Sequence, residues 1–453
     1  KIDFIRLHKQ NGFLSINPIV MLGGSHHVDE IAQQSSTQFQ DFALGLQIRG
    51  NYKGKVDVNL KFKYQHSYAK DYEIDYYNTW NALPGYTPEQ VTLSNHHFQS
   101  FQPRLGIQVP IINKHITASL GYDSHGYGSG IRSLFLSDAS APYLYAKIST
   151  KVWKLQYDNL FAKVNTDKIP GLPQLGGHKY FSAHTLSVEL FPWWQLGLFE
   201  TVTFSRKSGY EAAYLNPLIF YRSMERTLGS PDKVALGIQS DFFPVKNLKL
   251  YGQFLLNEFT SEFFFKKTGY WANKWGGQMG FLYTNVAGIN NFDIQGEVNL
   301  IRPYTYTHSL RREAINISNF GNGNTPLAHQ LGAGFREAIL KAQYQVLPTL
   351  NIQYSGHFYQ QGEDKDGLNY GNNLFKSYRD KPVIFGVNMI HGPKKEVWSH
   401  HLQASYEIWP QLHFDIGGYY RTQERALDLS NNENWGIYTR LRLNFWNSAL
   451  SLF

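Results

Sequence analysis

Val56-Asp57-Val58-Asn59-Leu60-Lys61-Phe62-Lys63-Tyr64 alternates without a break: every even position is apolar or aromatic, every odd one polar or charged. Successive side chains of a β-strand point to opposite faces, so this stretch offers one apolar face and one charged face. Phe292–Leu300 repeats the pattern, with Asp293, Gln295, Glu297 and Asn299 on the polar side. So does Trp435–Phe445, where Tyr438, Arg440, Arg442 and Asn444 take that side.

Working outward from these three, the same period marks eighteen segments. They are residues 13–22, 41–50, 56–70, 99–109, 115–126, 142–150, 153–163, 181–191 and 195–206. The second half adds 233–243, 248–259, 275–286, 291–305, 334–346, 349–361, 396–409, 411–423 and 434–446. An even count suits a single-chain bacterial barrel. Connections alternate in length. Pro110–Lys114, Pro192–Trp194, Pro244–Asn247 and Leu347–Pro348 are short, whereas Tyr76–His97, Ser208–Asp232, Tyr306–Gly332 and Gly362–Lys395 are long. Short periplasmic turns opposite long extracellular loops are the asymmetry of outer-membrane barrels, and a soluble sandwich or propeller does not sort its connections so.

Tryptophans give a second measure. Trp398 and Trp409 are eleven residues apart, as are Trp435 and Trp446. At ~3.3 Å per residue and a tilt near ~40° that is roughly 28 Å along the membrane normal, close to the ~25 Å apolar band between aromatic girdles. An odd separation puts both rings on one face only if a bulge intervenes.

Composition agrees. The 453 residues carry no Cys, a net charge of +8 and 16% aromatic side chains. Mean hydropathy is −0.39, and no stretch approaches the roughly 18 apolar residues of a membrane helix. A polar lumen accounts for that value in a barrel. Without Cys there is no disulfide framework and no thiolate metal site. No linker divides the chain. The expectation is therefore an all-β chain: one transmembrane antiparallel barrel at 13–453, its long loops folding into the lumen, preceded by a periplasmic N-terminal segment at 1–12. Basic strand residues such as Lys61, Arg104, Lys147, Arg440 and Arg442, interleaved with Asp57, Asp123, Asp158 and Asp415, point to cross-strand ion pairs inside it.

Function is sought in the loops. The segment Tyr214–Asp232 is too apolar for a solvated loop and is expected to fold inward and constrict the pore, with Arg222, Glu225 and Arg226 lining a binding surface or closing a plug of ion pairs. A second group comprises Arg302, Tyr304, Tyr306, His308, Arg311, Arg312, His329 and Arg336. Rings stack on sugar faces and Arg pairs with carboxylates, so this mixture suits carbohydrate; hydrogen bonds that pin a long loop would need the same residues. Gly362–Gly367 resembles half of a calcium loop without its distal Glu, which favours a solvated turn. His400 and His401 point to opposite faces of one strand, which argues against a metal shared with His413. No nucleophile elbow, zinc-protease motif or phosphate loop is present, so no enzyme and no cofactor is expected.

Several stretches run in an order that resembles a known family. They are Leu198-Phe199-Glu200-Thr201, Tyr214-Leu215-Asn216-Pro217, Gly229-Ser230-Pro231-Asp232, Trp271-Ala272-Asn273-Lys274, Arg302-Pro303-Tyr304-Thr305-Tyr306-Thr307-His308 and Leu327-Ala328-His329-Gln330-Leu331-Gly332. Together with Tyr251–Phe259 they are similar to the Bacteroidota outer-membrane barrels grouped with the capsule-assembly protein Wzi, including the gliding-motility protein RemB. The family pattern has Pro where Gln330 stands and Asn where Gly334 stands. The resemblance covers roughly Gly126 to Gly367. It implies an eighteen-stranded barrel occluded by loops, acting as a non-enzymatic binder or anchor of surface polysaccharide, or as a subunit of a secretion or gliding assembly. A selective channel for acidic solutes is the further reading that a basic lumen allows. The partners expected are outer-membrane lipid and lipopolysaccharide, an acidic surface polysaccharide and other outer-membrane proteins, with no nucleic acid.

Overall fold

The computed structural model describes residues 3–29, 34–94, 96–112, 115–167, 178–206, 209–217, 232–308 and 318–444. Eighteen antiparallel strands make the wall. The first nine are β1 (Gly12–Asp29), β2 (Gln34–Tyr52), β3 (Val56–Tyr68), β4 (His97–Ile112), β5 (Ile116–Asp123), β6 (Tyr143–Val152), β7 (Leu155–Val164), β8 (His178–Phe191) and β9 (Trp194–Arg206). The rest are β10 (Lys233–Val245), β11 (Leu248–Glu258), β12 (Lys274–Tyr283), β13 (Phe292–Ile301), β14 (Phe335–Leu347), β15 (Leu350–Gly362), β16 (Lys394–Trp409), β17 (Leu412–Arg425) and β18 (Ser430–Leu443). Each pairs with its sequence neighbours, and β1 closes the barrel on β18 from Val20↔Leu443 to Asp29↔Asn434. All eighteen coincide with segments marked by the alternation. Two short strands add to the same sheet, Ile5–Lys9 on Gly12–Ile16 and Val91–Ser94 on the start of β4, and Gly321–Asn322 pairs with Thr325–Pro326 as a separate two-stranded sheet.

The wall is inside-out relative to a soluble protein. Leu120, Leu144, Met279, Leu402, Ile416 and Ile437 are exposed, while Lys63, Gln102, Asp158, Glu297, Asn299 and Asp415 are buried. That inversion is what a lipid-facing exterior around a polar lumen requires, and it makes the chain an integral outer-membrane barrel. Ion pairs bridge strands inside it: Arg104 with Asp123 at 2.7 Å, Lys147 with Asp158 at 3.2 Å, and Asp415 between Arg440 at 2.8 Å and Arg442 at 2.6 Å. Trp398 and Trp409 are both exposed despite their odd separation, because the β16–β17 register shifts between Glu407 and Trp409. Trp446 lies outside the described residues.

The core is made by loops inside the ring. Residues 124–142, between β5 and β6, enter the lumen and bury Leu134, Phe135 and Leu136 completely. Phe135 stacks on Phe199 of β9 with centroids 4.6 Å apart. A Cβ at Gly237, opposite Phe199 on β10, would come within 2.2 Å of the Phe135 ring, so that wall position has to be glycine. The loop's backbone is bolted to wall side chains. Glu297 accepts from the amides of Ile131 (2.5 Å) and Arg132 (3.0 Å), Gln253 accepts from Leu134 N–H (2.8 Å), and Gln278 donates to the Arg132 carbonyl (3.0 Å). The Arg132 guanidinium pairs with Glu337 of β14 at 3.3 Å, both groups being buried. The β13–β14 loop packs on top: Tyr306 stacks on Phe320 and its hydroxyl donates to the Leu134 carbonyl at 2.8 Å.

The described loop that enters the lumen here is thus one other than Tyr214–Asp232. Residues 209–217, the described part of the β9–β10 connection, go the other way. Phe199 faces the lumen, so its neighbours Glu200, Val202 and Phe204 face out, as do Ser182 and His184 across the β8–β9 ladder. These outer residues are nonetheless buried, and Tyr210 and Tyr214 cover Val202, Phe204 and Ser182 among them. Ser182 donates to the Tyr214 carbonyl (3.0 Å), and Tyr157 reaches the Pro217 carbonyl (2.5 Å). Tyr210 and Tyr214, the described aromatic residues of this connection, pack on the outer wall rather than in the lumen. Residues 218–231, with Arg222, Glu225 and Arg226, lie outside the described residues.

Two measurements check this arrangement. Leu402 faces lipid midway along β16, so Leu402→Arg should cost about 2–4 kcal/mol, while Gln353→Arg, turned to the lumen, should cost less than ~1 kcal/mol. Urea unfolding of barrels refolded into vesicles reads both, and a larger loss for Gln353→Arg than for Leu402→Arg would mean the faces are reversed. Glu337→Ala leaves the Arg132 charge buried without its carboxylate, which costs about 3–5 kcal/mol. The loss should appear as faster amide exchange in residues 124–142 and as opening events in a planar bilayer. Unchanged exchange there would show that the loop does not depend on this pair.

Candidate functional site

The β3–β4 loop opens with a helix, α1 (Asp71–Trp80). Its start is set by Glu73, which accepts from the Lys70 amide at 2.9 Å, and its end by Asn81 in the left-handed conformation. Asp71 and Glu73 in the first turn suit the helix dipole. Asn324, from the β13–β14 loop, donates to the Trp80 carbonyl at 2.9 Å and ties the far end down. Below the helix, Leu83, Tyr86, Val91 and Phe98 form a small core that seats the whole loop.

Tyr72, Tyr76 and Trp80 recur every four residues, which sets them on one helix face. That face borders a cleft of about 300 Å³ at the long-loop end of the barrel. The opposite side comes from strand ends: Arg421, Gln423 and Arg425 at alternate positions of β17, Lys395 of β16, and Tyr359 and Gln361 of β15. Gln330, Leu331 and Gly332 of the β13–β14 loop, with Leu374 and Phe375 of the β15–β16 loop, complete the lining. Trp80 meets Phe375 edge-on at 5.7 Å. Beyond α1 lies a second space of about 610 Å³ in the lumen, lined among others by His27, Lys70, Lys341, His401 and Arg440. The two share Tyr72, Glu73 and Leu83, so α1 is the partition between them.

Arrangement and chemistry fit together. A row of aromatic faces opposite amides and cations can stack sugar rings on one side and hydrogen-bond their hydroxyl and acidic groups on the other. None of the described residues groups three or more His, Asp or Glu side chains as a metal site would. The half calcium loop is occupied by its own neighbours: Asp364 pairs with Lys376 at 3.0 Å and Glu363 with Arg425 at 3.1 Å.

The residues singled out from the sequence stand elsewhere. Arg302 donates to the carbonyls of Tyr270 (3.4 Å) and Val387 (3.2 Å). Tyr304 and Tyr306 are fully buried and both hold positive φ, 65° and 71°, a conformation bulky residues adopt only under packing. His308 lies near Lys233 and Lys274; burial and those two ammonium groups hold its imidazole down at about 4, hence neutral. His329 is buried against Glu337 at 2.7 Å. Arg336 shares the outward face of β14 with Leu340 and donates to Gln360 at 2.6 Å. Arg311 and Arg312 lie outside the described residues. None of the six described candidates borders the cleft: Arg302, Tyr304 and Tyr306 bond loop backbone, His329 bonds Glu337, and Arg336 ties β14 to β15. The helix stripe was missed, although its signal, aromatic residues at a spacing of four after a capping Glu73, is in the sequence.

No protein-family model matches the sequence, and no curated protein sequence matches it. Among solved structures, the chain is similar to Escherichia coli Wzi, described as an outer-membrane protein involved in group 1 capsule assembly and a carbohydrate-binding β-barrel. The TM-score is 0.56 at 13% identity, over 94% of this chain and 85% of that one. Pseudomonas aeruginosa OprD matches with a TM-score of 0.47 at 9% identity, over 95% and 96%. Acinetobacter baumannii OccAB2 matches with 0.46 at 8%, over 95% and 98%. At these identities the likeness is one of fold, and the fold is that of an outer-membrane barrel.

Proposed function

We propose that this barrel is a non-enzymatic binder of surface polysaccharide, holding glycan chains in the cleft between α1 and the ends of β15–β17. The observation that carries the reading is Tyr76 and Trp80 of α1 facing Lys395, Gln423 and Gln361 across a space of about 300 Å³, with Arg421 seated on Tyr72 at its border. The cleft stands at the long-loop end, where a capsule or other acidic surface polysaccharide would be held. Residues 124–142, 302–308 and 318–334 occupy much of the lumen beneath, which favours a surface anchor over a wide channel. The carbohydrate binding described for Wzi, which shares the fold, supports the same reading. Residues 1–12 would then lie at the periplasmic rim, beside the short-turn end of β1.

One observation favours a second reading, a subunit of an outer-membrane secretion or gliding assembly. The β11–β12 and β15–β16 loops bond to each other through Gly386 N–H to Thr268 and Val387 N–H to Gly269. Across them Phe259, Phe264, Phe265, Val383, Ile384 and Phe385 are exposed. An apolar patch shared by two loops marks a contact surface.

Binding of purified capsule or exopolysaccharide fragments by calorimetry separates the two. Trp80→Ala should weaken it by about 10- to 30-fold, roughly 1.4–2 kcal/mol, with unchanged strand content. Phe265→Ser should not change it. Full affinity in Trp80→Ala would remove the cleft from the binding surface, and loss of glycan binding in Phe265→Ser would move it to the apolar patch.

A further inference from the structure

Arg421 is 5% exposed and turns into the cleft from β17. Its guanidinium lies over the Tyr72 ring, 4.4 Å from the centroid. Nη2 donates to Gln423 Oε1 at 3.0 Å, and Nε has no acceptor among the described residues. The acids of the cleft are engaged elsewhere. Glu73 accepts from the Lys70 amide and stands 3.8 Å from the Lys70 ammonium, and Glu363 is held by Arg425 at 3.1 Å. Asp75 is exposed.

A guanidinium carries five N–H donors in a planar fork and stays charged at any accessible pH. Buried without a carboxylate, it is costly to the fold. Elsewhere this barrel meets that cost with acids: Asp415 between Arg440 and Arg442, Asp232 on Arg206 at 2.7 Å, Glu337 on Arg132. Arg421 is given a ring to stack on and one amide oxygen. Its position is thus fixed; Nε is enclosed, and Nη1 with the second hydrogen of Nη2 has no acceptor among the described residues and remains for something entering the cleft.

We propose that Arg421 is the anion-binding residue of the cleft and takes the carboxylate of an acidic sugar. The planar fork matches a carboxylate bidentately. Tyr72 behind it keeps the guanidinium flat and oriented, and Lys395 supplies a second cation on the same side. From Tyr72 to Trp80 the helix rises roughly 12 Å, which leaves room for an oligosaccharide laid along the aromatic stripe. The assignment rests on the glycan-binding reading above and narrows it to chains that carry a carboxylate.

The test uses the purified barrel in detergent against a printed panel. Each uronic-acid oligosaccharide on it is paired with its methyl ester, and sulfated oligosaccharides are included. Wild type should prefer acid over ester by about tenfold or more. Arg421→Gln should lose that preference while keeping the affinity for the ester, and Arg421→Lys, which keeps the charge without the fork, should recover part of it. Arg421→Gln should also unfold at or above the wild-type midpoint, since it removes a buried charge; a lower midpoint would mark Arg421 as a structural bolt and overturn the proposal. Equal binding of acid and ester by wild type, a preference that survives in Arg421→Gln, or a preference for sulfate that Arg421→Lys leaves intact would each overturn it. Wild type that binds neither acid nor ester anywhere on the panel would overturn the glycan reading itself, and this assignment with it.

Discussion

Two buried carboxylates, Glu297 on β13 and Glu337 on β14, hold the interior of this barrel together. Glu297 receives the backbone of residues 131–132, and Glu337 receives the Arg132 side chain, His329 at 2.7 Å, His357 at 2.6 Å and Asn299 at 2.7 Å. One loop from the far wall, one loop from above and three adjacent strands thus converge on two side chains. A ring of strands has no core of its own, and the apolar cluster of Leu134, Phe135, Phe199, Tyr306 and Phe320 forms only where these polar contacts bring the loops. The cleft inherits its shape from the same place. Gln330 and Leu331, which line it, belong to the loop that His329 anchors.

What could be read from the sequence follows from the distance over which each signal acts. Strand identity is a local matter of period two, and all eighteen wall strands were legible. The plug was not. Ser124–Gly130 is largely small and polar and reads as a solvated connection; the partners that hold the following residues 131–134 inside, Gln253, Gln278 and Glu297, lie on three strands more than a hundred residues away. The β9–β10 loop shows the opposite limit. Its described aromatic residues, Tyr210 and Tyr214, announce burial but carry no information on which side of the wall they are buried. The aromatic and basic residues of Arg302–His308 and His329 are equally suited to grip a sugar or a carbonyl, and only their surroundings decide. Much of the stretch that carries the family resemblance proves to be such fastening: Tyr214 to Asp232 at 2.7 Å, Asn257 to the Tyr306 amide at 3.0 Å, Lys274 to Glu258 at 2.9 Å.

Helix α1 does two things at once. It divides the outer cleft from the lumen space, and it supplies the aromatic side of the cleft. A ligand that pulls on Tyr72 therefore acts on the partition as well, because the same ring borders both spaces.

The strap of residues 209–217 has a consequence for how the barrel is built. Glu200 and His184 sit midway down β9 and β8, facing outward, where other strands show leucine. In hydrocarbon, a bare carboxylate and imidazole at that depth would be expensive. The strap that shields them is tied on by contacts to the finished wall, to Ser182 and Tyr157 among others. Its seat is made by three strands together, β7, β8 and β9, so the cover over this polar strip is only as good as the register that lines those strands up.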